Sequence, residues 1–160
     1  MSSLIPTTFT PGSLYIAGFT QASAPHVGLI LPTNSQAGAL VHIKVDRSKS
    51  PHWMHQYRVQ KIEGDMFLSS LLKIHDISEG EMTVKNLQKA ASAVPVPEND
   101  IFGECSNWVF KVIQHLDRLG LVALKDIALL ENEFSTFASE SQGYARRDRF
   151  PNVAISKYCA

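Results

Sequence analysis

Hydrophobic residues come in short runs or alternate with polar ones through the first half of the chain, and recur every three to four positions through the second. Leu14-Tyr15-Ile16-Ala17-Gly18-Phe19 reads as a strand, closed by a polar turn around Ser23 and Pro25. His26 to Leu31 reads as a second, stopped by Pro32 and the turn-rich Thr33-Asn34-Ser35, and Ala39 to Val45 as a third. The short link between the last two fits a hairpin, so they are expected to pair antiparallel. Trp53 to Ile62 alternates β-formers with polar groups at His55, Gln56, Arg58 and Gln60, and predicts a fourth strand. Leu68 to Ile77 fits a strand or a short helix and is read as a strand.

Thr83 to Ala93 has no breaker, carries Val84, Leu87 and Ala91 at helical spacing, and can be capped by Thr83 or Ser78. The clearest helix follows, with Cys105, Trp108, Val109, Val112, Ile113, Leu116 and Leu119 on one stripe and Gly120 as its stop. Leu124 to about Phe137 predicts a third helix, and Val153 with Ile155 a last extended piece. Strands followed by helices, with no repeat or interdomain linker, argue for an α+β fold. Residues 1–160 then form a single domain, a mainly antiparallel sheet packed against helices.

Composition narrows the function. A chain of 160 residues with 44% hydrophobic residues can fill one core. Fifteen basic residues balance fifteen acidic ones, and no basic patch marks a nucleic-acid partner. The one dense charge cluster, Arg146-Arg147-Asp148-Arg149, reads as a solvated face able to hold an acidic group. Met1 to Thr10 lacks the features of an export signal, and no apolar run is long enough to span a membrane. A cytoplasmic protein without a membrane partner is expected, with Cys105 and Cys159 as free thiols. Cys159, next to last, is expected on a mobile end and not activated.

Cys105 is the residue with chemistry to offer. A helix N-terminus carries partial positive charge and unpaired N–H groups, both of which favour thiolate over thiol. His26, at the start of one strand, and His42, within the apolar run Leu40-Val41-His42-Ile43, would share one face of a hairpin. His26 is then the candidate base, within hydrogen-bonding reach of Cys105, and His42 the group that orients it. The plain alternative is a buried core cysteine on the stripe of Trp108 and Val109, beside a tolerated strand histidine. His52 and His55 would point to opposite faces of a strand, and no CxxC is present, so neither a metal nor another cofactor is expected.

The order His…His…Cys, with cysteine opening a helix, resembles the circularly permuted papain-like families. These are the lecithin:retinol acyltransferase and H-Ras-like suppressor group, related to NlpC/P60 hydrolases. Pro25-His26-Val27-Gly28-Leu29-Ile30-Leu31 is similar to the first motif, Gly38-Ala39-Leu40-Val41-His42-Ile43 to the second, and Glu104-Cys105-Ser106-Asn107-Trp108-Val109 to the third. Glu104 stands where the family has asparagine, and Val27 where tryptophan is common. The whole chain also resembles a group of small fungal proteins, through Cys-x-x-Trp and the closing Ser156-Lys157-Tyr158-Cys159; that group brings no activity with it.

The resemblance implies Cys105 as nucleophile, His26 as base and His42 as orienting group. They would serve acyl transfer or hydrolysis on an amide, ester or thioester of a small-molecule or peptide substrate. Two other functions fit the same residues: a non-catalytic module binding a small molecule or a protein, and a small acid–base cyclase or isomerase of secondary metabolism.

Overall fold

The computed structural model describes residues 9–20, 26–63, 65, 67–101, 103–145 and 150–160. The turn around Ser23 and Pro25 and the cluster Arg146-Arg147-Asp148-Arg149 lie outside the described residues. The strands are β1 (Leu14–Phe19), β2 (His26–Pro32), β3 (Ala37–Val45), β4 (Trp53–Lys61), β5 (Leu68–His75) and β6 (Asn152–Ile155). The helices are α1 (Val84–Ser92), α2 (Glu104–Arg118) and α3 (Ile127–Glu140). The strands form one mixed sheet in the order β4-β3-β2-β1-β5-β6, antiparallel throughout except for the parallel pair β5–β6. The fold is α+β.

Strand alternation divides the core into two layers. Leu14, Ile16, Val27, Leu29, Val41 and Ile43 face the helices and pack with Leu87, Trp108, Val109, Val112, Ile113 and Leu116. Tyr15, Ala17, Phe19, Ile30, Leu40 and Leu71 face the other way and form a second cluster with Phe9 and Val153. β1 is buried along its whole length because it is paired on both edges and packed on both faces. The edge strand β4 is mostly half-exposed.

Local chemistry sets the helix limits. Thr83 caps α1 by accepting the Asn86 N–H, as its position before the apolar run implied. α2 ends at Arg118, and Leu119, which caps it, is 53% exposed, so the buried stripe stops at Leu116. α3 starts later than the apolar pattern indicated: Asp126 accepts the Leu129 N–H and fixes the first turn at Ile127. Leu124 instead forms a bridge with Cys159. That bridge, with the Ala123 and Ala160 backbones exchanging hydrogen bonds at 2.6 and 3.0 Å, ties down the C-terminal residues. Cys159 is therefore buried in the core, not placed on a loose end.

Candidate functional site

β3 and β4 pair over their full length, which sets His42 directly opposite Gln56. The ladder between β2 and β3 stops at Leu29↔Val41, three residues short of His26. Both histidines lie on the face away from the helices: each alternates with a helix-facing valine, and the His26 ring lies 5.8 Å from that of Phe19, its partner across β1. There the imidazoles meet edge-on. His26 Nε2 is 2.6 Å from His42 Nδ1, and His42 Nε2 is 2.7 Å from Gln56 Oε1. Gly28 leaves this face open: a Cβ there would lie 2.9 Å from Leu40 Cδ1, 3.1 Å from the Cβ of His42 and 3.2 Å from the Val41 carbonyl oxygen.

The direction of the protons follows from the acceptor at the end. Gln56 Oε1 can only accept, so His42 Nε2–H donates to it. A neutral His42 then has a lone pair at Nδ1, and His26 Nε2–H donates to that. The remaining nitrogen, Nδ1 of His26, is left as a base. Both rings are held neutral. Burial lowers each from 6.5 to about 4, and the charge of Arg58 adds to the effect on both; for His42 the nearby His26 contributes too, against the Gln56 bond.

Cys105 enters from the helix side. Gly103, in the left-handed region at φ 92°, turns the chain into α2 and offers no side chain to cap the first turn. The approach to this turn is pinned to β4. The Trp53 N–H donates to the Asn99 carbonyl at 3.0 Å, Trp53 Nε1 donates to that of Ile101 at 3.2 Å, and Arg47 pairs with Asp100 at 2.9 Å. Cys105 is 4% exposed. Burial pushes its thiol above the ordinary value and the charge of Glu104 adds to this, opposing the N–H groups of Val27, Ser106 and Cys105 itself that favour thiolate. The expected activation at the helix start is thus outweighed by desolvation.

The direct hydrogen bond expected between Cys105 and His26 is not formed. The backbone N–H groups that favour the thiolate electrostatically include that of Val27, the residue after His26. A cavity of about 640 Å³ nevertheless runs past the open end of the sheet and is lined by Cys105, Gly103, His26, His42 and Gln56 together. The three residues singled out in the sequence therefore share one cavity, and two of them touch. Gln56 was visible only as one of several alternating polar positions on its strand; its role comes from the register that sets it opposite His42.

Fold and site together define an α+β domain with a His–His–Gln relay and a cysteine opening onto one cavity. Residues 14–123 match DUF6540, a family of unknown function, and the chain belongs to that family. The match begins with β1 and ends beyond α2, so it contains every residue of the site. No curated protein and no solved structure matches the chain. Among the described residues, no helix is long and apolar enough to cross a membrane.

Proposed function

We propose that the protein is a thiol-dependent acyl-transfer enzyme on a permuted papain-like frame, with Cys105 as nucleophile, His26 as base, and His42 and Gln56 as positioning residues. The observation that carries this reading is the relay, which leaves the free Nδ1 of His26 as acceptor beside the cavity that Cys105 also lines. The histidine pair and Cys105 approach this cavity from opposite faces of the sheet, so the proposed transfer requires substrate binding to bring Sγ and the His26 ring together within it.

The step begins from a neutral thiol and a neutral imidazole. Cys105 Sγ forms a bond to the carbonyl carbon of an ester, amide or thioester while its proton passes to His26 Nδ1. The tetrahedral oxyanion is stabilised by backbone N–H groups at the uncapped first turn of α2. Collapse breaks the bond to the leaving group, which departs with the electron pair and takes the proton from His26. Water or an amine then attacks the acyl-cysteine, giving its proton to His26, and the thiol is restored.

The test is to incubate the protein with p-nitrophenyl acetate and a small acyl thioester, and to weigh the peptide containing Cys105. An acyl adduct on Cys105, absent in His26→Ala, supports the proposal. No adduct with either reagent overturns it. One observation favours a second reading, a cleft that binds without covalent chemistry: the thiol is almost fully buried and pushed up by that burial. Turnover that survives Cys105→Ala but is lost in His26→Ala would instead assign acid–base chemistry to the relay.

A further inference from the structure

We propose that Arg58 and Lys44 form an oxyanion-binding subsite beside the relay, so that the substrate carries a carboxylate or phosphate group near its acyl carbonyl. The assignment of an acyl carbonyl rests on the function proposed above; the anion subsite rests on the cavity alone.

His42 and Gln56 are direct partners across β3 and β4, Lys44 lies two residues beyond His42, and Arg58 two beyond Gln56. A period of two puts all four on one face, with the cations flanking the His42–Gln56 pair on opposite sides. Both line the cavity that contains the relay and Cys105. Their side chains are long enough to reach a ligand above that pair from either side.

Charge accounting separates these two cations from the rest of the cavity. Arg47 is neutralised by Asp100 at 2.9 Å. Asp65 is committed to its own turn, with Oδ1 accepting from Gln60 Nε2 at 3.2 Å and Oδ2 from the N–H groups of Phe67 and Leu68 at 3.0 and 2.8 Å. Among the described residues, neither Arg58 nor Lys44 has a carboxylate partner. Arg58 nevertheless acts on both imidazoles and Lys44 on His42, in each case disfavouring protonation. An anion seated between them cancels that field. Binding the correct substrate would thereby make His26 a better proton acceptor at the moment the thiol must release its proton. The planar guanidinium can grip a carboxylate or a phosphate with two hydrogen bonds, while Lys44 adds a point charge.

The test has a binding arm and a kinetic arm. Cys105→Ala protein is titrated calorimetrically at low ionic strength with succinate and, separately, with inorganic phosphate. At least one should bind, the affinity should fall on the order of tenfold in Arg58→Gln, and added salt should weaken it; the better of the two names the oxyanion. Absence of binding by both, or affinity indifferent to Arg58→Gln and Lys44→Gln, overturns the subsite. In the kinetic arm, the protein with Cys105 intact is given the p-nitrophenyl monoester of succinate and the neutral p-nitrophenyl butyrate. The ratio of their kcat/KM values should favour the succinate ester and collapse in Arg58→Gln. Turnover of both esters with a ratio unmoved by that change sinks the subsite and leaves the acyl-transfer reading standing. Anion binding that depends on Arg58, with no turnover of either ester, does the reverse.

Discussion

The histidine pair, with His42 buried and His26 half-buried, should make the fold sensitive to mild acid in a defined window. Each imidazole is lowered from 6.5 to about 4, first by burial and then by neighbouring positive charge. The native state therefore resists protons that the unfolded chain accepts. Above pH 6.5 neither state is charged and the rings have no effect. Between 6.5 and about 4 the unfolded chain binds more protons, so stability falls as pH falls; below about 4 the native rings protonate as well and the loss levels off. A difference of about 2.5 units at about 1.4 kcal/mol per unit gives roughly 3 kcal/mol for one ring. Set against a typical total of about 5–15 kcal/mol, this is a large fraction. Asp76, held well below the usual carboxylate range by Lys73 and Ser78, works in a separate window: its contribution is lost only as pH falls below about 3.8. Urea unfolding followed from pH 7.5 to 4.5 in the native sequence and in the double variant His26→Asn, His42→Asn measures the effect as a slope, whatever the absolute stability of the variant. A steep decline that flattens in the variant is expected. A flat profile in the native sequence, or equal slopes in both proteins, would refute the burial argument.

Three further outcomes follow from the site and the core. Replacing Gln56 by Glu gives His42 a charged acceptor and should raise its pKa, which nitrogen-detected NMR of the imidazoles would follow; an unmoved titration would mean that Gln56 does not accept from His42. Gly28→Ala should separate His26 from His42 by crowding the His42 Cβ and the Val41 carbonyl, lowering turnover while far-UV circular dichroism stays native; unchanged turnover would show that the contact is dispensable. Alkylation by iodoacetamide should be slow at pH 7 at both cysteines, because burial pushes Cys105 up and takes Cys159 to about 12; rapid labelling of Cys105 below pH 8 would show an activated thiol in the free protein.

Much of this arrangement is legible from the order of residues, and the parts that are not share a physical cause. Period-two and period-3.6 patterns locate strands and helices because each side chain must choose a face within its own segment. They also place Cys105 at the mouth of α2 and the two histidines on neighbouring strands. What the pattern leaves open depends on distances between segments. The apolar character of Leu124 extends the helical pattern upstream, yet the backbone there bonds to the C-terminal residues and Asp126 starts the helix anew. Gln56 becomes a relay member through the β3–β4 register alone. A slip of one residue would put His55 or Tyr57 opposite His42 and turn Gln56 to the other face. Depth is equally invisible: a helix start announces a favourable field for a thiolate, but whether that field wins depends on how far the sulfur is sealed from water. Here it is sealed to 4% exposure, and desolvation prevails. Desolvation, together with the charge of Arg58, likewise keeps both imidazoles neutral. The resting site is therefore uncharged along the line from Cys105 to Gln56; Glu104 bears on the thiol, and Arg58 and Lys44 bear on the imidazoles. In the proposed reading, a ligand that neutralises Arg58 and Lys44 acts on His26 and His42 without touching either ring, and this would couple recognition to proton transfer through electrostatics.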